Sequence, residues 1–150
     1  MAEKVLIFCS YPAGEMKGII KTIEGLFPEK PEFTLVIRQK DKESYEQDMN
    51  KIKYFMIPLS RRERIRLVWQ LRREKYHHAF LIATGDEILY MKFKIFSLFC
   101  GAYRLREFID NNSIKDISRW KILLELISSF GGSELKYYDF GNYASVLIKS

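Results

Sequence analysis

Apolar and polar positions form alternating blocks along the first part of the chain. Three short apolar runs, Lys4–Ser10, Phe33–Gln39 and Tyr54–Leu59, have the length and composition of buried β-strands. Between the first two runs, apolar residues recur at helical spacing over Met16–Phe27. The polar segment Lys40–Ile52 between the second and third runs is compatible with a loop or with an exposed helix. The pattern therefore predicts strands that alternate with helices.

The middle of the chain carries the clearest structural unit. An apolar run, Ala79–Ala83, stops at the polar turn Thr84–Glu87, and a strongly apolar helix-like segment then runs to Gly101. A second strand-like segment follows at Tyr103–Ile109. A strand, a polar turn, a helix and a strand in this order form the βαβ unit of a parallel sheet.

Two further helices are predicted from their starts. Ser60 and Glu63 form a capping box, in which a hydroxyl and a carboxylate three residues apart satisfy unpaired backbone donors, and this helix runs to about Lys75. A last long helix is predicted to begin at Asp116 or Ser118. On one side of it lie four large apolar residues, Trp120, Leu123, Leu124 and Ile127.

The end of the chain has the pattern of a β-hairpin. Two strand-like segments, Leu135–Phe140 and Tyr143–Ile148, flank Gly141-Asn142, which suits a two-residue turn. We therefore predict an α/β fold of three layers, with a Rossmann-like parallel sheet, helices on both faces and a C-terminal β-hairpin at about residues 133–150. No linker divides the chain, so residues 1–150 are predicted to form a single domain.

The composition of the chain indicates its cellular compartment and the chemical class of its binding partners. The formal charge of +6 suits phosphate groups, anionic lipid or an acidic protein. The two cysteines, Cys9 and Cys100, lie in apolar stretches without metal-ligand spacing and are expected to be buried free thiols of a reducing compartment. No signal peptide and no bilayer-spanning run is evident. We expect a cytoplasmic protein without a metal or cofactor, for which contact with the inner face of the membrane stays open.

In an open parallel sheet, ligands bind at the carboxyl ends of the strands, where the turn Tyr11–Glu15 would lie. A helix begins there, and its backbone N–H groups and dipole favour a phosphate or carboxylate. Gly14 would let the backbone approach such a ligand closely. Glu15 is either a favourable charge at a helix start or a catalytic or binding carboxylate. Neither of the glycine-rich motifs of dinucleotide-binding and P-loop proteins occurs here.

A second polar turn follows the fourth predicted strand. It can be read as a capping box or as a set of acceptors for substrate hydroxyl groups, and its residues are Thr84, Gly85, Asp86 and Glu87. After the fifth predicted strand, Asn111 lies in a polar triplet that forms either an ordinary turn or a clamp on a ligand. Both segments would stand beside the first turn.

The helix predicted from Ser60 to Lys75 is strongly basic. Arg62, Arg66 and Arg73 are candidates for an anion- or partner-binding face, although a solvated basic face is the simpler interpretation. Its inner side is predicted to carry four apolar residues, Ile65, Val68, Trp69 and Leu71. Nucleic acid is not expected as a ligand, because Trp69 is the only aromatic residue available to this helix. The apolar helix Ile88–Cys100 is expected to pack on the sheet or to dock a membrane or a partner.

Taken in order, these segments resemble the N-terminal, acceptor-side half of bacterial glycosyltransferases of the lipopolysaccharide heptosyltransferase type, which have two Rossmann-like domains. The family's first strand, Gly-Asp turn and following helix are matched by Val5–Ser10, Gly14-Glu15 and Met16–Leu26. Its later strand–turn–helix–strand unit resembles Tyr76–Ile109, including Gly101-Ala102-Tyr103-Arg104. The resemblance covers roughly residues 4–130 as a pattern.

The resemblance implies a domain that binds a phosphorylated or glycan ligand and takes part in glycosyl transfer. The family's proposed catalytic base is an Asp, and Glu15 stands at the matching position, after Tyr11-Pro12-Ala13 in place of the family's Arg-x-Gly. The family's sugar-nucleotide donor binds mainly to a second domain, so activity is expected to need such a domain or a partner chain.

Two alternative functions stay open. One is a non-catalytic interaction domain whose basic helix binds an anionic surface or a partner protein. The other is a flavodoxin-like domain that binds a mononucleotide.

Overall fold

The computed structural model describes residues 2–9, 11–49, 52–82, 87–109 and 113–130. Within these ranges the chain forms six strands and five α-helices, with a short 3₁₀ helix at Gln39–Asp41 before the second α-helix. The strands are β1 (Lys4–Phe8), β2 (Glu32–Ile37), β3 (Lys53–Met56), β4 (His78–Ile82), β5 (Arg104–Phe108) and β6 (Ile114–Ile117). The helices are α1 (Ala13–Glu24), α2 (Lys42–Asp48), α3 (Arg61–Glu74), α4 (Glu87–Phe99) and α5 (Arg119–Phe130).

The six strands form one sheet in the order β3-β2-β1-β4-β5-β6. The first five strands are parallel, and β6 pairs antiparallel with β5. The predicted α/β fold with a Rossmann-like, mainly parallel sheet is therefore confirmed. The predicted C-terminal hairpin at about 133–150 lies outside the described residues.

The central strand β1 explains why both faces of the sheet carry helices. Leu6 and Phe8 point into one apolar cluster and Val5 and Ile7 into the other, and all four side chains are fully buried. A strand of this kind needs cover on both faces. Residues of α1 and α2 complete one cluster, and residues of α3, α4 and α5 complete the other.

Of the two predicted starts of the last helix, Ser118 is confirmed, because α5 begins at Arg119 and the N–H group of Ile122 donates to the carbonyl of Ser118 at 3.2 Å. Asp116 does not begin the last helix, because it lies in β6, where it is paired with Arg106 across the antiparallel ladder and accepts a hydrogen bond from that side chain at 3.1 Å. The N–H group of Ile109 donates to the carbonyl of Ser113 at 2.9 Å between β5 and β6. The four apolar residues predicted on one side of α5 do share a side, but that side is exposed, and Ile122 and Leu126 face the core.

Helix α3 differs from the prediction in which apolar residues it buries. Leu67, Val68 and Leu71 pack into the core, whereas Trp69, predicted on the inner side, is 59% exposed. Ile65 is only partly buried. The predicted capping box is confirmed in part, since the Ser60 hydroxyl accepts a hydrogen bond from the Glu63 N–H group at 3.3 Å. The apolar helix α4 packs mainly on the sheet, with most of its described side chains buried or partly buried.

Two glycines of the fold make a matched pair for a stability test. Gly18 lies inside α1 with open space where a Cβ would stand, whereas Gly101 follows α4 with φ +74° and a Cβ position 3.4 Å from Cγ of Arg72. We expect Gly18→Ala to raise the free energy of unfolding by about 1 kcal/mol, since alanine favours the helix. We expect Gly101→Ala to lower it by about 1–2 kcal/mol, because a left-handed backbone disfavours a side chain.

Urea unfolding of both variants beside the unsubstituted chain checks this pair. Opposite shifts of the midpoint are expected at an unchanged slope. A Gly101→Ala variant as stable as the parent would contradict the left-handed backbone conformation of Gly101.

Candidate functional site

The strand order places a topological switch point between β1 and β4. β1 connects through α1 to β2 on one side of this point, and β4 connects through α4 to β5 on the other side. Phe8, the last residue of β1, lies opposite Leu81, one residue before the end of β4, and opposite Val36 of β2. The carboxyl ends of three neighbouring strands are therefore level, and a crevice at such a point is where open α/β sheets bind ligands.

The predicted turn Tyr11–Glu15 leads from this end of β1 into α1. The first helical hydrogen bonds run from the N–H groups of Glu15 and Met16 to the carbonyl of Pro12, both at 3.2 Å. The N–H groups of Ala13 and Gly14 thus precede the ladder of α1, and Pro12 provides no side-chain cap. An anion placed at this helix end would accept hydrogen bonds from such groups.

Gly14 and Glu15 are both exposed at the start of α1. A Cβ built on Gly14 would meet no atom within 4 Å, so neither packing nor backbone geometry requires a glycine at this position. The carboxylate of Glu15 forms no ion pair with the described residues. Both residues are accessible to a ligand that reaches the carboxyl end of β1.

A buried polar cluster that the sequence did not reveal stands behind this turn. The Tyr45 hydroxyl of α2 donates to the carbonyl oxygen of Tyr11 at 2.7 Å. Burial is the main reason why the pKa of Tyr45 lies far above its usual value, and Cys9 and Asp41 add to the shift. Tyr45 therefore acts as a neutral hydrogen-bond donor that links α2 to the turn after β1.

An ion pair completes this cluster at the carboxyl end of β2. Arg38 Nε donates to Oδ2 of Asp41 at 2.7 Å, and both side chains are largely shielded from water. Arg38 directly follows β2 and Asp41 comes three residues later, at the end of the sheet where parallel strands collect polar groups. The spacing of three residues brings a cation and an anion together at the 3₁₀ turn, so the pair orders the loop beside the Tyr11 turn.

The other predicted ligand residues fall at or beyond the edge of what the structure describes. Thr84, Gly85, Asp86 and Asn111 lie outside the described residues, and Glu87 is described only as the first residue of α4. The topology nevertheless attaches residues 83–86 to the end of β4, next to β1. Residues 110–112 join β5 to the antiparallel β6, one strand farther from the switch point.

The predicted partner-binding arginines lie on the exposed side of α3. Arg62, Arg66 and Arg73 are exposed, and none forms an ion pair with another described residue.

Across the described ranges there is no group of three metal-ligating side chains, and no helix is long and apolar enough to cross a membrane. Comparison of the chain with models of known families, with curated proteins and with solved structures gave no match.

Cys9 and Cys100 are expected to be chemically silent in the folded protein. Burial raises the pKa of Cys9 to about 12, with a smaller increase from Asp41 and an opposing hydrogen bond with Tyr45, and burial also raises the pKa of Cys100. Because the thiolate is the reactive form, we expect neither thiol to react with a disulfide reagent at pH 8 within minutes. Both should react after unfolding in guanidinium chloride. Rapid release of one equivalent from the native chain would contradict this environment of Cys9 or Cys100.

Proposed function

We propose that this domain binds a phosphorylated or glycan ligand at the carboxyl ends of β1 and β4, in the manner of the acceptor-side half of a two-domain glycosyltransferase. The observation that carries the proposal is the switch point between these two strands, with the Tyr11–Glu15 turn attached to one of them. The N–H groups of Ala13 and Gly14 would hold the anionic or hydroxylated part of the ligand.

In this proposal Glu15 acts on an acceptor hydroxyl. A carboxylate at this position would accept the proton as the hydroxyl oxygen attacks the sugar carbon of the donor, whose leaving group departs with its bonding electrons. Thr84, Asp86, Glu87 and Asn111 would supply acceptors around the acceptor sugar. The donor itself requires binding surface from a second domain or a partner chain, so the domain alone binds a ligand without turning it over.

The proposal predicts that the purified chain is stabilised by a sugar phosphate or sugar nucleotide. A ligand at about 100 times its dissociation constant adds about 2.7 kcal/mol to the free energy of unfolding. For a chain of this size the melting temperature then rises by roughly 5–10 °C. A thermal-shift series with sugar nucleotides, free nucleotides and sugar phosphates measures this effect. The absence of a shift with every sugar-containing compound would contradict the proposal.

Substitutions at Gly14 locate the ligand that this series identifies. We expect Gly14→Leu to leave the melting temperature of the free protein within a few degrees of the parent, because the space around this residue is open. The leucine would stand where the ligand approaches the helix start, so the ligand-induced shift should be lost. Gly18→Leu, one turn later on the same helix and equally open, is the matched control and should retain the shift. Equal ligand responses of the two variants would place the site elsewhere.

Glu15→Gln tests the carboxylate separately from ligand binding. With a donor-binding partner present, we expect transfer to fall by at least about a hundredfold, which is the usual contribution of a general base. The thermal shift with the acceptor should persist, since the amide keeps the shape of the side chain. Glu24→Gln, at the other end of α1, is the control. Undiminished transfer by Glu15→Gln would show that Glu15 is not the catalytic base. That result would not contradict the proposed ligand-binding site.

A further inference from the structure

The two helical layers of the protein carry opposite charge. Helices α3, α4 and α5 on one face of the sheet contain ten lysine and arginine residues and four glutamates. On the opposite face, α1, α2 and the 3₁₀ helix contain four lysines and six acidic residues. The basic character that the composition shows for the whole chain is thus concentrated on one side of the molecule.

The exposed apolar side chains are concentrated on the same basic layer. Among the described residues, six of the nine large apolar side chains that face solvent lie on α3, α4 or α5, and none lies on α1 or α2. These six are Trp69, Phe99, Trp120, Leu123, Leu124 and Ile127. An apolar and basic surface of this kind marks a place of interaction.

Helix α3 combines both features in one stripe. Arg62, Arg66, Trp69 and Arg73 follow one another at intervals of four, three and four residues, so their side chains share one face of the helix, and all four are exposed. Trp69 also lines a shallow apolar cavity together with Phe99 at the end of α4. The stripe therefore joins an exposed indole to three cations that have no acidic partner among the described residues.

Helix α5 also presents exposed apolar side chains beside basic residues. Trp120 is 72% exposed and stands between Arg119 and Lys121 at the start of the helix. Leu123, Leu124 and Ile127 continue its exposed side at helical spacing, while Ile122 and Leu126 fill the core. Two helices of one layer thus present a tryptophan beside basic residues.

The two stripes are linked through the end of α4. The Arg72 guanidinium donates to the carbonyl of Phe99 at 3.4 Å, which ties α3 to the last residue of α4. Helix α4 also contacts α5, and residues of α3, α4 and α5 pack into the same apolar cluster. The two stripes therefore belong to one layer on the same face of the sheet.

We propose that the α3–α5 layer docks on the surface of an anionic lipid bilayer, independently of ligand binding at the switch point. Arginines would contact lipid phosphates while their hydrocarbon stems lie along the apolar groups, and the two tryptophans would enter the boundary between headgroups and acyl chains. Leu123, Leu124 and Ile127 favour lipid over nucleic acid, because aliphatic side chains enter hydrocarbon readily but do not stack on bases.

The two tryptophans make the proposal directly measurable. The chain contains only these two, and both are on the proposed surface, so their fluorescence reports on docking without a label. We expect the full chain to co-sediment with vesicles of phosphatidylcholine mixed with phosphatidylglycerol, with a blue shift of tryptophan emission. Vesicles of phosphatidylcholine alone should bind far more weakly, and high salt should release the protein from the anionic vesicles.

A charge-matched pair of variants tests which surface docks. Each basic residue near an anionic membrane strengthens binding about fivefold, so the triple change R62Q, R66Q and R73Q should weaken it about a hundredfold. The control removes the same charge far from α3–α5 through K21Q, K30Q and K40Q, three exposed lysines. Its binding should change by less than about fivefold, because remote charges are screened. W69A and W120A should each weaken binding about tenfold without altering its salt dependence.

Four outcomes would overturn the docking proposal. They are no binding to anionic vesicles, equal binding to neutral vesicles, binding with unchanged tryptophan emission, and equal losses in the arginine variant and its lysine control. Salt-sensitive binding to a single-stranded oligonucleotide in the absence of vesicle binding would assign the surface to nucleic acid instead. Vesicle binding that is kept by Gly14→Leu would show that the membrane surface and the switch-point site are separate.

Discussion

The burial of β1 on both faces is the constraint on which the rest of the structure depends. This strand pairs with β2 on one edge and with β4 on the other, and Val5, Leu6, Ile7 and Phe8 are all without solvent exposure. A central parallel strand of this kind cannot be completed by a hairpin, because each parallel neighbour requires a crossover. The helices of these crossovers supply the cover for both faces, and the reversal of strand order beside β1 follows from the same requirement.

The same reversal places the carboxyl ends of β1 and β4 side by side. The Tyr11–Glu15 turn follows β1 at this end of the sheet and is backed by the hydrogen bond from Tyr45 and by the Arg38–Asp41 pair. On one face of the sheet, α3–α5 carry ten lysine and arginine residues against four glutamates, and they carry six of the nine exposed large apolar side chains of the described residues. A ligand site at a strand end and a docking surface on a helical layer would not compete for space.

The fold was largely predictable because its signals are local. The apolar runs of β1 and β2 and the helical spacing of α1 identified these elements within a few residues, and the strand–helix–strand unit from β4 to β5 showed that the sheet is parallel. The Ser60 cap marked the start of α3 within one residue. The sequence of α2 is compatible with a loop or with an exposed helix, because Tyr45 is the one residue of this helix that is buried in the core. The strand β6 was missed because its four residues, Ile114–Ile117, have no strand pattern of their own and are stabilised by pairing with β5.

Local sequence patterns are enough to identify the core strands, the polar turns that interrupt them, and the position of Gly14 and Glu15 at the start of a helix. These properties depend on neighbouring residues and on the periods of helix and strand. The strand order, the proximity of Tyr45 to Tyr11 and the exposed sides of α3 and α5 depend on how distant segments pack together, so they follow from the three-dimensional structure alone. Trp69 shows the reason. Its sequence position suits either side of a helix that is apolar over a wide arc, and the placement of α3 against the sheet buries Leu67 and Leu71 and leaves the indole outside.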